Sequence, residues 1–235
     1  MRPSSPAEAA LATRVAPAAP EALAALADPP WKRPLDVILA ILLVAASLPL
    51  WLVIAAAIKL TSRGPVLYVQ EAVGRGGRPF RFYKFRTMRT DADNFRHRQY
   101  IARFVRSEAG GTPGKLDGPF KMQDDDRVTA VGRLLRRTSL DELPQLLNVL
   151  RGDMSLVGPR PSLPYEYELY DDATRARLAV RPGITGLYQV TARSRVTFRQ
   201  MVEIDLDYIH RRSLWLDLGI LLRTVPAALA GKGAY

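Results

Sequence analysis

The alternation of apolar and polar positions divides the 235 residues into three stretches. Residues 1–30 are rich in Ala and Pro, with few large side chains, as in Arg14-Val15-Ala16-Pro17-Ala18-Ala19-Pro20. Such a composition cannot bury a core, so a flexible tail is expected there. It does not read as a secretory signal, because the apolar run begins too late and no small-residue cleavage site follows it. From Leu35 to Ile58 the chain is continuously apolar except at Asp36, Ser47 and Pro49, long enough to span a bilayer as a helix. Beyond Thr61 the pattern becomes that of a globular body.

Three details bear on how residues 31–60 meet the membrane. Basic residues flank the apolar run on both sides, Lys32-Arg33 before it and Lys59 and Arg63 after it, which places both ends on the cytoplasmic face. Pro49 removes a backbone hydrogen bond near the middle and predicts a kink. Asp36 falls one turn after Arg33, so the two are expected to pair at the interface. A helix that enters one leaflet, bends and returns satisfies all three; an ordinary transmembrane helix with the rest of the chain inside stands equally open on the pattern alone.

In the body, residues 61–235, Val66–Gln70 and Phe80–Phe85 read as strands around a Gly74-Arg75-Gly76-Gly77 turn. Residues 91–107 read as a helix, 108–119 as a Gly/Pro-rich loop, and 127–137 as a further helix. Another is expected from Ser139 through Leu150, with Ser139 as its cap and Glu142 three residues on. Arg151-Gly152-Asp153 ends it. Residues 164–179 and 197–212 read as helices, and 215–229 as an amphipathic segment able to lie in a core or along a membrane surface.

Composition narrows the chemistry. Cysteine is absent, which excludes disulfide scaffolds, zinc ribbons, thiol nucleophiles and iron–sulfur centres. Only two histidines are present, His97 and His210, so a multi-histidine metal centre is excluded too. The net charge of +11 points to a polyanionic partner: nucleic acid, anionic lipid or a phosphorylated substrate. Basic residues are interleaved with acids (Asp124-Asp125-Asp126, Asp171-Asp172) instead of forming one stripe, which argues against nucleic acid.

Asp141-Glu142 is the sharpest candidate. Adjacent acids at a helix start suit the helix dipole and need no function. Here Arg133, Arg136 and Arg137 lie just before them, where positive charge favours ionised carboxylates and attracts phosphate. A carboxylate can attack phosphorus to form an acyl phosphate. In Gly158-Pro159-Arg160-Pro161 two prolines fix the backbone around an arginine, and Arg181-Pro182-Gly183-Ile184-Thr185-Gly186 repeats the theme. Lys84-Phe85-Arg86 reads either as an exposed strand edge or as a further anion contact.

These segments together, with Lys32-Arg33-Pro34-Leu35-Asp36, Tyr83-Lys84-Phe85-Arg86-Thr87-Met88, Thr138-Ser139-Leu140-Asp141-Glu142-Leu143-Pro144-Gln145 and Arg151-Gly152-Asp153-Met154-Ser155-Leu156-Val157-Gly158, closely resemble the bacterial sugar transferases, the small monotopic phosphoglycosyl transferases acting on polyprenyl phosphate. The resemblance covers residues 31–235. It implies an α-rich α+β fold behind a re-entrant kinked helix, with a small β-hairpin and amphipathic interfacial helices, at the cytoplasmic face of a bacterial inner membrane. It implies an undecaprenyl-phosphate glycose-1-phosphate transferase that takes a UDP-sugar, releases UMP and initiates exopolysaccharide synthesis. Asp141 would be the nucleophile and Glu142 its neighbour, both at Mg²⁺. Lys84, Arg136, Arg160 and Arg193 would contact phosphate or nucleotide, and Asp205 would be a further acid of the site. Inner-membrane lipids are implied as partners, with nucleic acid not among them and a homodimer left open. Several N-terminal spanning helices occur in larger relatives, so the small form is expected. Two departures stand out: Leu48 precedes Pro49 where the family often has Ser, displacing Ser47 by one, and Thr191-Ala192-Arg193 replaces Asn-Gly-Arg.

Overall fold

The computed structural model describes residues 27–89, 127–192 and 196–229, with Gln99 and Val105. The expected tail before Ala27, nearly all of the helix at 91–107, the loop at 108–119 and Arg193 lie outside the described residues.

Helix α1, Lys32–Thr61, is about 45 Å long at the rise of an α-helix. It is long and apolar enough to cross a membrane. It runs as one helix through Pro49. Ser47 Oγ donates to the Leu43 carbonyl at 2.6 Å and accepts from Trp51 Nε1 at 3.0 Å. The displaced serine therefore serves the turns above and below it, not the Ala45 carbonyl that Pro49 leaves without its usual donor.

The expected Arg33–Asp36 pair does not form. Arg33 donates to the carbonyls of Val149 (2.5 Å) and Leu150 (3.0 Å), while Asp36 Oδ1 accepts the Leu156 N–H at 3.0 Å. Both side chains turn toward the body, where a helix end and a strand offer backbone groups that would otherwise be buried without partners. At the far end, Ile54 and Ile58 bury against Phe85 and Leu135, and Trp51 packs edge-on against Phe85. Between these contacts the helix presents an open apolar face that includes Leu42, Leu52 and Val53.

Strands β1 (Leu67–Val73) and β2 (Pro79–Phe85) form the expected hairpin, antiparallel with Leu67 opposite Phe85 and Val73 opposite Pro79. Phe85 and Arg86 are buried, so the edge reading of Lys84-Phe85-Arg86 fails: side chains of α1 and the next helix cover it. Helix α2 (Ala130–Arg137) starts at Thr129, whose hydroxyl accepts the Gly132 N–H.

The helix expected from Ser139 begins later. Ser139 is left-handed (φ 56°) and makes no side-chain cap; a 3-10 turn follows at Leu140–Glu142, and α3 runs Gln145–Arg151 after Pro144. Strand β3 (Ser155–Val157) pairs in parallel with β4 (Gly183–Thr185), a sheet the sequence pattern did not announce. The expected helix over 164–179 divides into α4 (Pro164–Tyr167), α5 (Asp172–Arg175) and a 3-10 turn at Ala176–Ala179. Asp171 caps the second piece by accepting the Thr174 N–H. Helices α6 (Leu187–Thr191), α7 (Phe198–Arg211) and α8 (Leu214–Leu229) complete the helix-rich body. The main core gathers Phe82, Val149, Leu156, Val157, Tyr208 and Ile220 beneath Ala40 of α1. On α8, Trp215, Leu222 and Val225 face outward.

Candidate active site

The 3-10 turn carrying Asp141 and Glu142 packs against β2. Asp141 is 3% exposed, and Glu142 reaches Lys84, with Oε1 at 3.7 Å from Nζ. Lys84 is held from beneath by the Phe82 ring, 5.0 Å from the ammonium. Its strand is pinned to α3 by Asn148, which accepts the Tyr83 N–H at 3.2 Å and donates to the Arg81 carbonyl at 2.5 Å. Asn148 is fully buried, so a slip of β2 would leave its amide unsatisfied.

Of the three arginines before the acids, only Arg136 turns inward. Its Nε donates to Thr87 Oγ1 at 3.0 Å, three residues beyond Lys84, while Arg133 and Arg137 are exposed. The contact depends on close approach of α2 to the chain after β2. A Cβ on Gly132 would lie 2.0 Å from the Thr87 carbonyl oxygen, a position only glycine can occupy.

Arg160 enters from the loop after β3. Gly158 N donates to the Thr185 carbonyl at 2.9 Å and Gly183 N to the Pro159 carbonyl at 2.8 Å, fastening this loop to the Arg181–Gly186 segment. The two rigid loops singled out by their prolines are thus one structure, joined through the parallel sheet. Val73 N bonds the Ser162 carbonyl at 2.7 Å and ties the loop to the hairpin.

Asp205, on α7, is 2% exposed and binds Arg177 Nη2 at 2.5 Å. The same nitrogen reaches the Arg160 carbonyl at 3.4 Å, so Asp205 meets the site through Arg177. Glu166, absent from the sequence reading, lies buried in the electrostatic reach of Arg160, Arg177 and Lys84. Burial pushes its carboxyl above the ordinary range, against the pull of Arg160 first and then of the Leu163 N–H, Arg177 and Lys84. Burial and the neighbouring Glu166 also push the Tyr170 hydroxyl up, to about 12. Glu166 was hidden because Tyr165-Glu166-Tyr167-Glu168 reads as a half-polar helix face; its three nearby tyrosines were the available signal of burial.

Among the described residues no three acidic or histidine side chains converge as a metal cage. Two adjacent carboxylates suit Mg²⁺ nonetheless, since this ion keeps several waters and commonly takes one or two carboxylates together with substrate phosphates.

The fold and site define a class: a helix-rich body with one long apolar helix, carrying a buried acid next to a second acid whose carboxylate lies beside Lys84. The sequence profile described as "Bacterial sugar transferase" matches residues 27–231. Exopolysaccharide production protein ExoY of Sinorhizobium fredii is 42% identical over 204 residues, 87% of this chain and 88% of that protein. UDP-glucose:undecaprenyl-phosphate glucose-1-phosphate transferase of Caulobacter vibrioides is 46% identical over 215 residues, 87% of this chain and 72% of its own length. Galactosyl transferase CpsE of Streptococcus agalactiae is 45% identical over 172 residues, 73% of this chain but 36% of that longer protein. The chain belongs to the bacterial sugar transferase family and is a transferase of that type.

Proposed function

We propose that this chain transfers a sugar 1-phosphate from a UDP-sugar to polyprenyl phosphate at the cytoplasmic face of the bacterial inner membrane, initiating exopolysaccharide synthesis. The observation that carries the reading is the placement of Asp141: buried, next to Glu142, on a turn packed against the strand of Lys84. The names of the Sinorhizobium and Caulobacter relatives, one an exopolysaccharide production protein and the other a UDP-glucose:undecaprenyl-phosphate glucose-1-phosphate transferase, support it.

An Asp141 carboxylate oxygen attacks the sugar-bearing phosphorus of the UDP-sugar. The bond from that phosphorus to the bridging oxygen breaks, and UMP leaves with the electron pair. A phosphate oxygen of the lipid then attacks the same phosphorus, breaking the bond to Asp141 and restoring the carboxylate. Lys84, Arg136 and Arg160 stabilise the charge on the phosphoryl oxygens as it shifts. Asp141 and Glu142 would hold Mg²⁺, which supplies neutralisation of the diphosphate charge. Arg193 is assigned to the nucleotide by family position.

The same reading makes the chain monotopic and re-entrant. Asp36 and Ile58, about 33 Å apart along α1, both bury against one body. A bilayer cannot separate two ends that the same domain holds, so the exposed face of α1 enters one leaflet and Trp215, Leu222 and Val225 of α8 lie at its surface.

Enzyme with UDP-sugar and no lipid acceptor should release about one UMP per active site and stop, gaining the mass of a phosphosugar on Asp141. Asp141→Asn should lose both the burst and the adduct, while Glu142→Gln should fold and form the adduct slowly. An adduct on Glu142, or UMP release that strictly requires the lipid, would replace this scheme with direct transfer.

A further inference from the structure

Strand β3 carries the Arg160 loop on very little sheet. It spans three residues and, among the described residues, pairs only with β4, in parallel. Parallel pairing is the weaker kind and a two-stranded unit is marginal alone, so this sheet cannot by itself fix a loop that leaves it. Leu156 lies between the two residues in register with β4, Ser155 and Val157, and its N–H therefore faces the edge that β4 leaves open.

Side chains of α1 satisfy that edge. The Leu156 N–H donates to Asp36 Oδ1 at 3.0 Å, and the Val157 carbonyl accepts from Lys32 Nζ at 3.0 Å. Lys32 and Asp36 stand one turn apart on one face of the helix. Polar side chains at the start of a membrane helix ordinarily reach for headgroups and water. Here both are buried in the body, at the desolvation cost that burial of charge carries. Asp36 Oδ2 is buried and makes no hydrogen bond, so the bond to β3 is the one its carboxylate makes. Tyr208 of α7 and Ser155 add two further donors to the Val157 carbonyl, at 3.1 and 2.9 Å.

We propose that Lys32 and Asp36 are positioning residues for Arg160: side chains of the membrane helix stand in for the neighbouring strand that β3 lacks, and so set where the Arg160 loop stands. The chain from Val157 onward is stiff. Gly158 N is bonded to the Thr185 carbonyl, Gly183 N to the Pro159 carbonyl, and prolines lie on both sides of Arg160, so a shift of β3 is passed to Arg160 and not absorbed. The inference rests on the phosphotransfer reading, in which Arg160 meets the sugar-bearing phosphate. Lys32 and Asp36 touch no substrate; they act through the strand.

Asp36→Ala removes the acceptor of the Leu156 N–H, and Asp36→Asn keeps an acceptor there while removing the charge. Tyr208→Phe takes one donor from Val157 without touching α1. Each should be compared with wild type in the native and Arg160→Ala backgrounds, as full-length enzyme in nanodiscs, with undecaprenyl phosphate and a panel of UDP-hexoses and UDP-N-acetylhexosamines, and with rates taken per folded enzyme. We expect Asp36→Ala to lose about tenfold in kcat/KM in the native background and less than about twofold in the Arg160→Ala background, the signature of residues acting as one unit. Tyr208→Phe should lose about threefold with the same dependence on Arg160, because Lys32 and Ser155 still donate. Asp36→Asn should recover most of what Asp36→Ala loses. Melting temperature should fall by the same amount in both backgrounds, which separates the effect on turnover from the effect on stability.

Equal losses of kcat/KM in both backgrounds, or no loss, would overturn the inference and leave Asp36 a structural residue. So would an Asp36→Asn enzyme as impaired as Asp36→Ala, since the charge and not the strand acceptor would then matter. If Asp36→Ala does not fold, the Tyr208→Phe cycle decides by the same criterion. A wild type that turns over while the cycles are additive overturns this inference alone. A wild type that releases no UMP from any nucleotide of the panel overturns the reading of the reaction and this inference with it.

Discussion

Lys32 and Tyr208 share one acceptor: the ammonium and the phenol hydroxyl both donate to the Val157 carbonyl, at 3.0 and 3.1 Å. Both also reach the Asp217 carboxylate, at 2.5 and 2.9 Å. Val157 immediately precedes the Arg160 loop, so the first turn of α1 and the last two helices together hold the strand end from which that loop departs. Burial pushes the Asp217 carboxyl up, and Lys32 is the principal group opposing the shift.

Lys32→Met should therefore be strongly destabilising although it makes the membrane helix more apolar. Removing one partner of a buried ion pair costs about 3–5 kcal/mol. For a body of this size that corresponds to roughly 6–20 °C of melting temperature, read in detergent micelles. Adding Asp217→Leu to Lys32→Met should recover part of the loss, since no uncompensated charge then remains.

Topology is testable because the chain has no cysteine of its own. Cysteines at Ala27 and Arg63 bracket α1; Arg63 is the better choice over Ser62, whose hydroxyl and carbonyl bind Arg86. An impermeant thiol reagent applied to intact spheroplasts should label neither site, and applied to inverted vesicles should label both. Labelling of one site from each side would establish a spanning helix.

Arg160→Lys should be nearly as damaging as Arg160→Ala, because an ammonium cannot reproduce the planar fork of a guanidinium. Loss of a charge-assisted bond made in the transition state costs about 2–4 kcal/mol, or roughly 30- to 1000-fold in rate. Near-normal UMP release by the lysine variant would show that charge alone suffices there.

Gly132→Ala should push α2 away from Thr87, since the added carbon would sit 2.0 Å from the carbonyl oxygen. Overpacking of this kind costs about 1–3 kcal/mol. Turnover should fall by more than the stability loss explains, because Arg136 is held by the Thr87 hydroxyl. Leu135→Val, in the same helix, should lower the melting temperature and leave kcat close to that of wild type.

What was legible in the sequence was what local pattern controls. Alternation around the Gly74–Gly77 turn disclosed the hairpin, and the order of apolar residues disclosed α1, α7 and α8. Capping was less legible. Ser139 looks like an N-cap, but Pro144 five residues on sets the start of α3 instead, leaving Ser139 in a left-handed turn. In the 164–179 stretch the decisive residue was Asp171, an N-cap in the middle of what reads as one helix. Among the candidate site residues, Asp141 is conspicuous for the adjacent Glu142, and Arg160 for the prolines on either side of it. The buried pair of Arg177 and Asp205 could not be found that way, because its partners are brought together from different elements by the fold. The expected Arg33–Asp36 pair failed for a related reason: neighbours at helical spacing lost to backbone groups brought in by the fold.

The polar opening turns of α1 also change what kind of object the membrane segment is. Cutting the chain at Ser62 would strip Leu156 of its carboxylate acceptor, leave the carbonyls of Val149 and Leu150 without Arg33, and strand Asp217 without Lys32. No water-soluble catalytic fragment is to be had by truncation, and a foreign anchor grafted in its place would tether an incomplete core. Such a helix is not an interchangeable module. Its first turns and the surface they fill must evolve as a pair, while its outward apolar face stays free to drift with the lipid around it.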